Sequence, residues 1–144
     1  MCLRYSEQLV DLLAIVLDSM GNHFATTESA TQQAHLHRIY HYISVNLANP
    51  ELSPQLIADH CGVSIRYLHR LFKATGWTVS GWIREERLNA CYEVITNPRK
   101  PLNSMAELAY RWGFSDQTTF NRCFKSKFEM TPKEARANSM ALIR

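Results

Sequence analysis

Residues 56–64 read Leu-Ile-Ala-Asp-His-Cys-Gly-Val-Ser, and residues 107–115 read Glu-Leu-Ala-Tyr-Arg-Trp-Gly-Phe-Ser. At an offset of 51, Ala58 matches Ala109, Gly62 matches Gly113 and Ser64 matches Ser115. One inserted residue makes the offset 52, after which Leu68 matches Phe120, Arg70 matches Arg122, Phe72 matches Phe124 and Lys73 matches Lys125. The chain therefore writes one supersecondary unit twice.

Each copy has the same physical logic. A small Ala sits where a second helix must cross the first closely. Four residues later a Gly marks a turn that needs positive φ. An apolar residue, Val63 or Phe114, then pins the turn to a core. The second helix carries two core anchors four apart, Leu68/Phe72 and Phe120/Phe124, which share one face. Arg70 and Arg122 lie two residues past the first anchor and so point away from that face. This is a helix-turn-helix pattern. Ala-x-x-x-Gly alone would suit an ordinary helical hairpin; two copies with shared outward Arg and Lys favour DNA binding.

The rest of the chain also reads as helix. Leu9, Leu12, Leu13, Val16 and Met20 form one stripe within residues 3–20, an amphipathic helix. Gly21-Asn22 and a polar stretch to about Gln33 read as a linker. Leu36, Ile39, Tyr40, Ile43 and Leu47 place a helix at about 34–48, ended by Asn49-Pro50. Ser53-Pro54 opens a short helix that stops before Gly62, and a further helix runs from about Ser64 to Ala74, stopped by Gly76.

Thr78 caps a long helix ending near Asn97-Pro98, with Trp82, Ile83, Leu88, Cys91, Val94 and Ile95 inward. Ser104–Glu107 and Thr131–Glu134 have capping-box spacing and open short helices; between them a helix covers about 116–128. No segment alternates as a strand would. The expectation is an all-α fold: two helix-turn-helix subdomains joined by a long central helix, with an extra N-terminal amphipathic helix. The expected boundaries are 1–33 for the N-terminal helix and linker and 34–144 for the double unit. The latter divides into 34–77, 78–97 and 98–144.

Charge supports this division. The chain has 144 residues and a net charge of +3. Residues 1–50 hold two basic and four acidic side chains, and residues 51–144 hold fourteen and nine. A basic C-terminal part suits a polyanion. No run of eighteen apolar residues suggests a membrane span, and no secretion signal is evident. Cys2, Cys61, Cys91 and Cys123 are scattered without a CxxC pair, which suits reduced thiols in a cytoplasmic protein. His37 and His41 are four apart, but no third ligand accompanies them, so neither metal nor cofactor is expected. No nucleophile–base set, phosphate loop or paired carboxylates suggest an enzyme.

Residues 113–136 carry a more specific pattern: Gly113-Phe-Ser, a helix with Phe120 and Arg122, Phe124-Lys-Ser-Lys-Phe128, and Thr131-Pro-Lys-Glu-Ala-Arg136. This stretch, with Arg84, Arg87, Leu88 and Ala90 of the central helix, resembles the AraC/XylS family of bacterial transcription regulators. The resemblance covers roughly residues 34–138. Glu129 stands where the family usually has Gly, and Ala135 where it usually has Tyr. The resemblance implies a seven-helix domain that binds double-stranded promoter DNA and, as an activator, recruits RNA polymerase. It also implies a sensory domain ahead of this one, where the chain has only about 33 residues. That leaves a fragment, a truncated product or a small member dimerising through Leu9, Leu12, Leu13 and Val16. A protein-interaction adaptor or antagonist without DNA affinity is the alternative.

The groove-facing candidates of the first unit are Arg66, His69 and Arg70, with Lys73 meeting phosphate. Those of the second are Gln117, Thr118, Asn121, Arg122 and Lys125. Gln and Asn suit adenine edges and Arg suits guanine. Ser64, Ser115 and Thr119 stand near helix starts, where they either donate to phosphates or cap. Arg87 is expected to pack or to pair with a carboxylate such as Glu107, and Trp77 to pack under the inter-helix turn. The central helix, about 19 residues and roughly 28 Å long, is comparable with the ~34 Å between successive major-groove faces.

Overall fold

The computed structural model describes residues 27–142. They form seven helices and no strand. These are α1 (27–46), α2 (Pro54–Cys61), α3 (Ile65–Thr75) and α4 (Val79–Thr96), then α5 (Met105–Arg111), α6 (Gln117–Phe128) and α7 (Pro132–Ala141). The amphipathic helix expected over residues 3–20 lies outside the described residues.

Residues 27–33, expected as linker, are helical, so the expected boundary between 33 and 34 falls inside α1. The polar composition misled because it is polar without being helix-breaking: Glu28, Ala30, Gln32 and Gln33 are helix formers, and neither Gly nor Pro interrupts them. Thr31 Oγ1 donates to the Thr27 carbonyl at 2.9 Å, and Gln32 Nε2 donates to Glu28 Oε1 at 3.5 Å, both along the helix. Among the described residues, those up to Arg38 fall in one compact body and those from Ile39 on in another.

The helix ends form where side chains relieve the orphaned backbone groups. Ser53, Ser64, Thr78, Ser104, Asp116 and Thr131 are the N-caps of α2 to α7, each accepting an N–H three residues on. The Thr131–Glu134 box is reciprocal: Thr131 N donates to Glu134 Oε2 at 2.7 Å and Glu134 N to Thr131 Oγ1 at 3.3 Å. The Ser104–Glu107 box is only half made. Ser104 Oγ accepts from Glu107 N at 3.0 Å, but the Glu107 carboxylate takes Asn103 Nδ2 and Arg111 Nη2 instead.

The repeat persists at the level of single hydrogen bonds. Gly62 has φ +66° and Gly113 has φ +79°, left-handed backbone that favours glycine. Val63 N donates to the Ala58 carbonyl at 3.1 Å, and Phe114 N to the Ala109 carbonyl at 3.0 Å. Gly62 N reaches Asp59 O, and Gly113 N reaches Tyr110 O. Both turns are thus closed by one Schellman-type bond pair. The inserted residue of the second copy sits just after its turn. Ser64 caps α3, but the cap of α6 is Asp116, the next residue after Ser115.

Helix α4 serves both units. Its first turns bury Val79 and Ile83, and α3 packs against it, burying Leu68, Leu71 and Phe72. Its later turns bury Leu88, Cys91 and Ile95 in a cluster with Leu108, Ala109, Phe114, Phe120, Phe124 and Ala135. Tyr92 stacks on Phe128 at 4.5 Å, extending this cluster. Ala135, the residue in place of the expected Tyr, is itself buried.

Two arginines tie helix ends to later helices. Arg136 Nη1 donates to the carbonyls of Ile95 and Asn97 at 2.9 and 3.0 Å, closing the end of α4 from α7. Arg87 Nε and Nη2 donate to the carbonyls of Leu47 and Asn49 at 3.0 and 2.7 Å, closing the end of α1 from α4. Arg87 therefore packs, as expected, but Glu107 is not its partner; that carboxylate is held by Arg111 one helical turn along α5. Two backbone carbonyls reach the buried guanidinium, and Glu107 is exposed on α5.

Candidate nucleic-acid interface

The surface of interest is set by what α3 and α6 bury. In α3, Leu68, Leu71 and Phe72 go inward, which leaves Arg66, His69, Arg70 and Lys73 exposed on the other side. In α6, Phe120 and Phe124 go inward with no residual exposure, leaving Gln117, Thr118, Arg122 and Lys125 exposed and Asn121 half-buried. Apart from Asn121, both sets of candidates thus stand outward from second helices whose opposite faces are anchored. The anchor pairs determine this geometrically, since residues two from an anchor lie well round the helix.

Arg70 is also steadied laterally. Its Cζ lies 5.1 Å from the centroid of the Tyr67 ring, one turn earlier on α3. A guanidinium over an aromatic face loses part of its rotamer freedom before any ligand arrives. Tyr67 was not singled out from sequence; the signal available was its i, i+3 spacing from Arg70.

The hydroxyl candidates are occupied in different ways. Ser64 Oγ accepts from Tyr67 N at 3.1 Å, a capping contact. Ser115 Oγ donates to Asp116 Oδ2 at 3.2 Å, and Thr119 Oγ1 donates to the same oxygen at 2.9 Å. Thr119 N also donates to Asp116 Oδ1 at 2.6 Å. These donors, the Thr119 N–H first among them, hold the Asp116 carboxyl below the usual carboxylate range. The start of α6 therefore carries a fixed negative charge that the start of α3, capped by neutral Ser64, lacks.

Between the units runs a groove lined by Trp77, Gly81, Arg84 and Glu85 on one side and by Arg122, Cys123, Ser126 and Lys127 on the other. Lys127 Nζ pairs with Glu85, so this part of α6 is also tied to α4 by charge. Trp77 is not tucked under a turn: it is 40% exposed, meets Trp82 edge-on at 5.7 Å and lines this groove. The turn that it was expected to cover is closed instead by Trp77's own backbone N–H, which donates to the Phe72 carbonyl.

Among the described residues, no group of three His, Cys, Asp or Glu side chains could hold a metal ion. None of the described helices is long and apolar enough to cross a membrane.

Two anchored helix-turn-helix units on a shared helix define a DNA-binding domain of the helix-turn-helix class. Residues 57–138 match the family model of a helix-turn-helix domain. The chain is 31% identical over 106 residues to the multiple antibiotic resistance protein MarA of Escherichia coli K12, covering 73% of this chain and 80% of MarA. It is 31% identical over 136 residues to the transcriptional activator NphR of a Rhodococcus species, covering 89% of this chain but 37% of NphR. A crystal structure of an AraC-type transcriptional regulator from Chromobacterium violaceum matches with a TM-score of 0.67 at 32% identity, over 76% of this chain and 96% of that one. The DNA-binding domain of AdpA, solved with a target DNA, shares the fold at a TM-score of 0.61 and 19% identity, over 72% of this chain and 94% of its own. The chain belongs to the AraC/XylS family of transcription regulators.

Proposed function

We propose that this chain binds promoter DNA by placing α3 and α6 in neighbouring major grooves of one duplex. One observation carries the reading: the buried pairs Leu68/Phe72 and Phe120/Phe124 hold Arg70 and Arg122 outward at equivalent places in two copies of one unit. Helix α4, with 18 residues, is about 27 Å long. That is short of the ~34 Å groove repeat by an amount that a modest bend of DNA or a tilt of the helices absorbs.

In this reading Arg66, His69 and Arg70 read base edges from α3, and Gln117, Thr118, Asn121 and Arg122 read them from α6. Lys73 and Lys125 meet phosphates, and the Ser64 hydroxyl has a proton left for one. The fixed carboxylate of Asp116 repels phosphate at the start of α6, so the first unit supplies more of the affinity. The double helix-turn-helix region from Ile39 onward carries the binding function. Because NphR is a transcriptional activator, activation through RNA polymerase in the cytoplasm is the role we assign. Pairing of two copies through Leu9, Leu12, Leu13 and Val16 would double the contacts.

Selection of bound sites from random duplex pools tests the reading. Recovered sites should hold two conserved blocks about one helical turn apart. Affinity for them should fall with salt at a log–log slope of about −0.9 per neutralised phosphate. Failure to enrich any duplex would overturn it in favour of a protein-interaction adaptor.

A further inference from the structure

Arg87 touches three parts of the molecule at once. It stands on α4 between the buried Ile83 and Leu88, the latter a member of the second unit's cluster. Its Nε and Nη2 hold the carbonyls of Leu47 and Asn49, where α1 of the first unit ends. The other side of the guanidinium lies on the turn of the second unit. A Cβ built on Gly113 would come within 2.7 Å of Nη1 and 3.0 Å of Cζ.

Both α1 and α4 are followed within a few residues by Asn-Pro, at Asn49-Pro50 and Asn97-Pro98. Each end is closed by an arginine from a later helix. Arg136 does this from α7, inside the second unit. Arg87 does it for the first unit and also meets the second unit's Gly113.

Burying a cation is costly unless its donors are engaged, and Arg87 is only 9% exposed. An apolar side chain of similar volume would fill the space without that cost. What the guanidinium adds is direction: its planar fork donates from Nε and Nη2 to two fixed carbonyls while Nη1 lies at the turn of the second unit. The apolar contacts of each unit with α4 lack this property, because hydrophobic burial is non-directional.

We propose that Arg87 is a positioning residue that sets the register between the two recognition helices, and so the spacing of half-sites that the domain accepts. The inference rests on the DNA-binding reading above. Adding one base pair between half-sites moves the second by about 3.4 Å along the axis and turns it by about 34°. A domain with a locked register resists that change, and one freed at Arg87 follows it.

The test uses the whole chain and duplexes selected by the wild type, with zero, one or two base pairs inserted between the two blocks. Arg87→Lys keeps the charge but loses the fork. Gly113→Ala keeps every Arg87 acceptor and displaces the guanidinium from the turn. Its backbone strain at positive φ is shared by Gly62→Ala, where a Cβ meets open space, so the pair of alanine variants reads the same coupling if Arg87→Lys fails to fold. The wild type should lose on the order of ten-fold in affinity per inserted base pair. Arg87→Lys and Gly113→Ala should bind the native spacing a few-fold more weakly and lose less than about three-fold on insertion. Profiles of these two that run parallel to that of the wild type, lowered uniformly, would overturn the proposal, as would a flat wild-type profile. A wild type that selects no duplex would instead sink the DNA-binding reading itself.

Discussion

The guanidinium of Arg87 lies against the α-carbon of Gly113, so closely that a Cβ there would sit 2.7 Å from Nη1. Gly62, at the matching place in the first unit, has open space where its Cβ would be. Both glycines have positive φ. The same substitution should therefore have unequal effects. Gly62→Ala bears only backbone strain, about 1 kcal/mol. Gly113→Ala adds the displacement of a buried cation and should cost roughly 1 kcal/mol more. Gly113→Val, with a β-branched side chain at positive φ, should lower stability by about 3 kcal/mol or more. Urea denaturation of the four proteins checks the ranking; equal midpoints for the two alanine variants would contradict the contact.

Glu129 offers the opposite opportunity. It ends α6 with φ +59°, the one non-glycine residue with positive φ among those described. Its N–H closes the helix on the Lys125 carbonyl at 2.9 Å. Glu129→Gly should keep that bond and relieve the strain. A gain of about 0.5–1 kcal/mol in unfolding free energy is expected, after the extra entropy of glycine in the unfolded chain is counted. A lower denaturation midpoint would show that the Glu side chain contributes more than its backbone costs.

Asp116 should give the protein an acid-sensitive element. Its carboxyl is held below the ordinary range in the folded state by the Thr119 N–H and hydroxyl. A depressed folded-state pKa means stability that is present above the unfolded value, about 3.9, and is lost as pH falls through the folded one. Asp116→Asn keeps a capping acceptor without the charge. The difference in melting temperature between wild type and Asp116→Asn should thus be constant from pH 7 to 5 and shrink below about pH 4. A difference that stays fixed down to pH 2 would refute the linkage.

Arg70 should behave as a reader of sequence. Arg70→Ala should cost roughly 1–3 kcal/mol on a selected site and relax the preference at one position. Lys73→Ala should weaken selected and random duplexes alike and lower the salt slope by about one contact. Tyr67→Ala, which removes the ring beneath Arg70, should copy Arg70→Ala in specificity with a smaller loss. Fluorescence anisotropy on selected and scrambled duplexes separates the cases. Equal losses on both for Arg70→Ala would make it a phosphate contact.

What could be read without coordinates was local in the chain. Ser53-Pro54, Ser64, Thr78 and Thr131 announce helix starts because a capping oxygen answers an N–H only three residues away. Gly62, Gly76 and Gly113 announce turns because positive φ strains other residues. The anchor pairs Leu68/Phe72 and Phe120/Phe124 determine which face of each helix is outward, and with it most of the candidate interface.

The tertiary structure decided what depends on segments far apart in sequence. Arg87 finds its acceptors 38 and 40 residues away, and no local pattern distinguishes those carbonyls from a carboxylate such as Glu107. Likewise the half-exposed Trp77 depends on where α4 and α6 leave a groove. Backbone propensity and capping act within a turn of the chain, whereas a buried cation takes whichever acceptors the packed helices bring to it. The repeat could therefore be read from the residues alone, and the coupling between its two copies could not.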